Sequence, residues 1–363
     1  MARTTDHPWL NKFAWLTAAA TFLLIGLGGL VTSHEAGMAV PDWPTTYGYN
    51  MFLFPVRLWQ CNIFYEHTHR LLASLVGLLT GMLALWLWLR EPRGWLRWLG
   101  LGAFTAVVLQ GVLGGLRVIL LKDSIGIVHA ILAQSLFVLV TLIAMCASGR
   151  LVKVRAAIQS LQPARRLQWL MIGSTLLILI QLILGAAMRH QHAGLAVPDF
   201  PLAYGRLWPR VDGPFLEEIN SQRLGLEQPK KVTAFHIRLH MAHRLVALSI
   251  VLLAGSVGWR ARRQAGAASL LAKLTLAWSG MICLQAVLGA ATVWSNKAAD
   301  VATAHVLLGA LSLMTGTILS VALSSEARAT SVQGWKIRAS SNSLARGIPT
   351  SCASAIEVAP HTT

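Results

Sequence analysis

Charge is scarce in this sequence: Asp, Glu, Lys and Arg make up 12% of its 363 residues, about half the share found in an ordinary soluble domain. Acidic residues are scarcer still, 14 against 31 Lys and Arg. With 55% of residues hydrophobic, this excludes a disordered chain and argues against a soluble globular enzyme. Cysteine is also short. Cys61, Cys146, Cys283 and Cys352 are far apart and form no C-x-x-C pair, so they give neither a disulfide framework nor a zinc or dithiol site. The formal charge of +17 would point to nucleic acid in a soluble protein. Here it accompanies long apolar runs, and the partner it fits is a lipid bilayer, with no nucleic acid.

About 20 apolar residues in a helix cross a hydrocarbon core. Eight segments meet that length: Phe13–Ser33, Thr68–Leu89, Trp98–Leu121, Ser124–Ala147, Trp169–Met188, Leu239–Trp259, Lys273–Val293 and Val301–Leu323. The first is too long for a signal peptide and lacks a small-residue cleavage site. Lys and Arg set the orientation. With the N-terminus inside, the inner connections hold Arg90, Arg93 and Arg97, then Arg150, Lys153, Arg155, Arg165 and Arg166, then Arg260, Arg262, Arg263 and Lys273. Three outer connections together hold only Arg57, Arg117, Lys122 and Lys297; the fourth, Arg189–Arg238, is long and holds seven basic residues. Both termini are placed inside. Tryptophans such as Trp9, Trp88, Trp98 and Trp259 are read as boundary anchors without chemistry.

The eight runs form two sets of four with shared motifs. Ala36-Gly37-Met38-Ala39-Val40-Pro41-Asp42-Trp43-Pro44 returns as Ala193-Gly194-Leu195-Ala196-Val197-Pro198-Asp199-Phe200-Pro201, and each copy then reaches Tyr-Gly, at Tyr47-Gly48 and Tyr204-Gly205. Glu66-His67-Thr68-His69-Arg70 returns as His240-Met241-Ala242-His243-Arg244, and Gln110-Gly111-Val112-Leu113-Gly114 as Gln285-Ala286-Val287-Leu288-Gly289. Four spans per copy is an even number, so both copies share one topology. The fold class is therefore an all-α polytopic membrane protein of two duplicated four-helix bundles, related by a pseudo-two-fold along the membrane normal. The division runs 1–12 (cytoplasmic lead), 13–147 (N-terminal half), 148–168 (inner linker), 169–323 (C-terminal half) and 324–363, a Ser/Ala/Thr-rich tail expected to be disordered.

Four of the twelve histidines fall inside apolar spans, at matching places: His69 and His129 in the first half, His243 and His305 in the second. All four belong within one or two turns of the outer surface. An intramembrane polar residue is costly, so a function is the default reading. Two histidines at equal depth in a four-helix bundle can face each other across a haem iron; singly, each could instead be hydrogen-bonding glue between helices. Arg70 and Arg244, directly after two of these histidines, suit a haem propionate, or equally an interfacial snorkelling role. Glu66 breaks the symmetry, because its counterpart is His240. It shares a helix face with His69 and is a candidate proton-handling acid, or an acid favoured by the helix N-terminus. Glycines gather in the spans that lack these histidines, consistent with close helix packing, and Gln110, Gln181 and Gln285, each four residues before a glycine, could cross-link helices.

Taken together, the duplicated eight-span layout, the A-G-x-A-V-P-D-[WF]-P loop, Glu66-x-x-His69-Arg70, His129, His243-Arg244 and His305 resemble the haem A synthase family, the cytochrome oxidase assembly factors. The resemblance covers residues 13 to 323. It implies oxidation of a methyl group of haem O, through a hydroxymethyl stage, to the formyl group of haem A. It also implies that His69 and His129 bracket haem O or haem A, with Glu66 as the functional acid, and that His243 and His305 ligate a resident haem B. Some members carry a cysteine pair in the first outer loop; this chain has Cys61 alone, expected to be an exposed, unpaired thiol. Haem O synthase and oxidase assembly components are the partners implied, and the short lead Met1–Lys12 favours a bacterial inner membrane. Two other readings remain: a two-haem membrane cytochrome carrying electrons from quinol, and a haem-free transporter, which calls for polar residues nearer the bilayer centre.

Overall fold

The computed structural model describes residues 7–223 and 231–324. The expected disordered tail therefore lies outside the described residues beyond Ser324, as do residues 1–6 of the lead. Among the described residues eight helices are long and apolar enough to span a membrane: α1 (Pro8–Ser33), α2 (Cys61–Arg90), α3 (Gly94–Ile119), α4 (Asp123–Ala147), α6 (Arg165–His190), α8 (Ala234–Ala265), α9 (Leu270–Trp294) and α10 (Ala299–Leu323). Each contains its expected run except α3, which stops two residues short of Leu121. The helices extend past the runs because length is set by caps as well as by apolarity. Pro8 occupies the first turn of α1, where no N–H partner is needed. The hydroxyls of Thr233 and Ser269 accept the N–H groups of His236 and Ala272 at the starts of α8 and α9.

Two short helices were not expected. The ten-residue α5 (Arg150–Gln159) follows a left-handed Gly149 and lies in the linker, where Arg155 Nη2 donates to the Val321 carbonyl at 3.0 Å. The nine-residue α7 (Gly213–Ser221), capped by Asp212, sits in the long 191–233 connection. Too short and too polar to stand out by periodicity, both rest on tertiary contacts.

In the N-terminal half α1 packs on α2, α2 on α3, α3 on α4 and α4 on α1. That closed ring puts α2 and α4 on one diagonal. The C-terminal half forms the same ring from α6, α8, α9 and α10, with α8 and α10 on the diagonal. The rings meet where α1 packs on α10, α6 on α4 and α4 on α10. This set is unchanged when α1 is exchanged with α6 and α4 with α10, as a two-fold between the halves requires.

In lipid, helices associate by close packing and hydrogen bonding rather than by escape from water. Accordingly, small residues bring backbones together: a Cβ on Gly100 would lie 2.9 Å from Leu87 Cδ1. Hydroxyls buried in the spans return to the carbonyl four residues back, as at Thr21, Thr80, Thr141 and Thr175. Each half has its own apolar core, around Val76, Leu83 and Val140 in one and Met171, Ile250 and Trp278 in the other; Ile25, Phe137 and Ala310 join them across the seam. Leu23, Leu78, Leu85, Leu248 and Leu252 are exposed on the spans, which gives the bundle an apolar exterior fit for lipid.

Candidate haem-ligand pairs and the loops that cover them

The connections 34–60 and 191–233 lie at one end of the bundle, and their first parts fold alike. Asp42 Oδ1 accepts the Tyr47 N–H at 2.7 Å and Oδ2 the Gly48 N–H at 2.9 Å; Asp199 does the same for Tyr204 and Gly205 at 2.7 and 2.8 Å. Tyr47 and Tyr204 each donate a hydroxyl hydrogen bond at 2.6 Å, to the carbonyls of Ala39 and Ala196. Gly48 and Gly205 take φ of +77° and +71°, a left-handed turn conformation that favours glycine. This explains the repeated P-D-x-P-x-x-Y-G string: aspartate closes a turn that the Tyr-Gly pair forms. Burial raises the Asp42 carboxyl, but the bonds from Gly48, Thr45 and Tyr47 outweigh it and hold the group below its ordinary value.

Arg70 and Arg244 hold these loops to the helices. Arg70 Nη1 donates to the carbonyls of Asp42 (2.8 Å) and Thr45 (3.0 Å), and Nη2 to the Val40 carbonyl (3.0 Å) and Glu66 Oε1 (2.8 Å). All four terminal N–H groups are thereby engaged. Arg244 repeats the pattern on Leu202, Val197 and Asp199, without a carboxylate. The arginine after each histidine is thus a loop clamp, and a propionate could reach the Arg70 terminal nitrogens only by displacing one of these bonds. Glu66 is buried, at 4% exposure, with Oε2 accepting the Val40 N–H at 2.8 Å. The Val40 contact ties α2 to the loop and the Arg70 contact runs along α2 itself, although the three-residue spacing places Glu66 one turn from His69. His240, its counterpart, is equally buried, and its Nδ1 has no hydrogen-bond partner.

The four histidines of the spans share one environment. His69 on α2 faces Gly28 of α1, His129 on α4 faces Gly114 of α3, His243 on α8 faces Gly185 of α6, and His305 on α10 faces Gly289 of α9. A Cβ added to these glycines would lie 3.1, 3.5, 3.3 and 3.1 Å from the respective ring Cε1. The glycines noted in the sequence as helix-packing residues therefore include a platform for each ring. Because α2 and α4 are diagonal, His69 and His129 stand across the N-terminal ring, within electrostatic reach of each other; His243 and His305 do the same in the C-terminal ring.

The glutamines have a specific task. Gln110, Gln181 and Gln285 each donate Nε2–H to a histidine backbone carbonyl at 2.9 Å, those of His129, His243 and His305. Each bond crosses from a glycine-bearing helix to its histidine helix and fixes their register. Only His69 lacks one, since Leu24 stands four residues before Gly28.

The donor set suits a haem. Nδ1 of His69, His129 and His243 is buried without a partner, and Nδ1 of His305 lies 3.1 Å from the Gln285 carbonyl. The rings are only half-buried, so each keeps an accessible edge. Imidazoles across a bundle diagonal, one of them within hydrogen-bond distance of a backbone carbonyl, are the residues that would hold a haem iron, which would supply redox chemistry there. Among the described residues no group of three or more His, Cys, Asp or Glu could hold a bare metal ion. A haem needs only two protein ligands, because the macrocycle supplies the rest. Cys61 is exposed and free, as expected from the sequence.

Residues 11–317 match the family described as cytochrome oxidase assembly protein. Several bacterial proteins named heme A synthase are similar over most of their length. That of Rhodopseudomonas palustris is 28% identical, over 85% of this chain and 88% of its own; that of Beijerinckia indica is 27% identical, over 77% and 83%. The Erythrobacter litoralis protein is 26% identical, over 83% and 93%. With the match spanning both rings and all four histidines, this chain belongs to the cytochrome oxidase assembly protein family.

Proposed function

We propose that this chain is a haem A synthase, oxidising a methyl group of haem O to the formyl group of haem A. The observation that carries the proposal is the His–Gly contact made four times, twice in each half, in a chain of this family. The halves 13–147 and 169–323 have different tasks. His69 and His129 hold the substrate haem; His243 and His305 hold a resident haem B. A bound haem supplies redox iron, and in the N-terminal half it also supplies the methyl carbon.

Methyl to aldehyde is a four-electron oxidation through a hydroxymethyl group, and it would need an external oxidant to accept the electrons and an external source of the oxygen atom. The chain's part is to position and to shield. The glycine platforms restrict ring rotation, the glutamine bonds fix helix register, and the Arg70 clamp draws the 34–60 loop over the end of the ring. Glu66 is the asymmetric element. Each carboxylate oxygen accepts one bond and keeps a lone pair, so Oε1 or Oε2 can take a proton released during oxidation one turn from His69. Lys and Arg enrichment at the α5 end supports an orientation with that end in the cytoplasm, both termini inside and both haem sites near the outer face of a bacterial inner membrane. Haem O synthase and oxidase assembly components are the fitting partners.

The test is mass analysis of the haems extracted from protein co-expressed with a source of haem O. Haem A or its hydroxymethyl precursor beside haem B supports the reading. Haem B alone, at two per chain, would refute it and leave an electron-carrying cytochrome.

A further inference from the structure

A haem carries two carboxylates as well as an iron, and ligation by two histidines alone would not choose which methyl is presented. Something must hold a carboxylate if one particular methyl is to be presented. The four arginines near the histidines differ in what they have left to offer. Arg70 has all four terminal N–H groups engaged, and Arg244 makes three bonds to loop carbonyls. Arg189 of α6 lies at the seam, donating to the Gly29 carbonyl and, at 2.7 Å, to Ser33 Oγ of α1.

Arg117 is different. It lies in the last turn of α3, three residues after the Gly114 platform and so on the same face. Its side chain is 16% exposed, yet of five N–H donors it uses one, in a 3.4 Å bond from Nη2 to Asp123 Oδ1. Its Nε is buried without a partner. Asp123 is itself 44% exposed and also lies 3.8 Å from His192, which leaves it a weak counter-ion. The guanidinium packs on the covering loop so closely that a Cβ on Gly37 would fall 2.7 Å from Nη1. It is within electrostatic reach of both His69 and His129, and also of His190. A half-buried, under-bonded cation beside two imidazoles calls for an anion.

In the second half the place over Gly194, the counterpart of Gly37, is taken by the stem of Lys297, whose Cδ lies 3.5 Å from where a Cβ would stand. The 175-residue offset that relates Gly114 to Gly289 takes Arg117 to Thr292, whose hydroxyl donates to the Leu288 carbonyl at 2.8 Å. We propose that Arg117 binds a propionate carboxylate of the substrate haem and sets its rotation in the N-terminal ring, with an arginine fork that the C-terminal ring does not carry at the matching helix position. This deepens the proposed function and rests on its assignment of a haem to His69 and His129. The bidentate fork of arginine suits a carboxylate, and the loop over Gly37 seals the pair from water.

The test uses the full-length, haem-free chain in detergent, titrated optically with haem B and with haem B dimethyl ester, whose carboxylates are masked. A His305→Ala background confines the low-spin signal to the His69–His129 pair, and the unsubstituted chain is run in parallel. Haem B should bind on the order of tenfold or more tightly than the diester. Arg117→Gln should abolish that preference by weakening haem B alone, and Arg117→Lys should keep part of it. Equal binding of acid and diester by chains that retain Arg117 would overturn the inference while leaving the haem pocket standing. So would an Arg117→Gln chain that loses affinity for both ligands equally, or one that keeps the preference. Absence of any low-spin haem in the Arg117 chain would overturn the pocket itself.

Discussion

Replacing the platform glycine Gly28 with alanine should move stability and haem affinity in opposite directions. A glycine inside a helix costs about 1 kcal/mol relative to alanine, so Gly28→Ala should raise the thermal stability of the haem-free chain. The added Cβ, however, would stand 3.1 Å from His69 Cε1. Carbon atoms prefer about 3.5 Å or more, so the ring must withdraw by roughly 0.4 Å or turn away from its rotamer. An off-rotamer turn of about 30° costs about 0.5–1.5 kcal/mol, which is roughly a two- to twelvefold loss of haem affinity. Gly114→Ala in the same ring is the internal control, because its Cβ would meet His129 at 3.5 Å, an ordinary contact. The assay is optical haem titration alongside thermal unfolding of the haem-free chains. Equal loss of affinity in both variants, or no loss in Gly28→Ala, would refute the view that these glycines set the ring positions.

Three other perturbations separate the parts of the site. Gln285→Leu removes the bond to the His305 carbonyl and should cost about 1 kcal/mol, read as a lower melting temperature with the fold retained, since α1 already carries Leu24 at the matching place. Arg70→Met leaves Glu66 buried without its cation and should cost about 3–5 kcal/mol; Arg244→Met, which strands no carboxylate, should cost less, and Glu66→Gln should recover part of the Arg70→Met loss. Proteolysis within residues 34–60 reports that loosening directly. The Asp42 carboxyl is held below its ordinary value, so its contribution to the loop is complete above about pH 4 and fades as pH falls through the lowered value. Protection factors of the Tyr47 and Gly48 amides should be constant from neutral pH down to that point, and a decline between pH 7 and pH 5 would contradict the assignment.

The spans, their pairing into halves and the four histidines were legible in sequence because each leaves a local mark: an apolar run, a repeated string, a polar residue where lipid excludes it. The role of Gly28, Gly114, Gly185 and Gly289 was only half legible. Glycine in a span signals close approach, but which side chain approaches depends on how neighbouring helices are rotated. The glutamine cross-links were visible as a Gln-x-x-x-Gly spacing, and their acceptor, the histidine backbone carbonyl, was not. Arg70 and Glu66 were legible as charged residues beside His69. Their partners in the loop 34–60, carbonyl acceptors for one and the Val40 donor for the other, were not, because the return of the loop onto α2 leaves no local mark. Arg117 read only as an outer-loop charge, because nothing local reveals that Gly37 folds over it or that Asp123 binds it so weakly.

The central claim is that two similar rings have different haems and different tasks. It is tested most directly by extracting and weighing the haems of His69→Ala and His243→Ala chains, each co-expressed with a source of haem O. His69→Ala should retain haem B and yield neither haem A nor its hydroxymethyl precursor, while His243→Ala should lose haem B specifically. Loss of the same haem to the same extent in both variants would mean that the halves are not specialised.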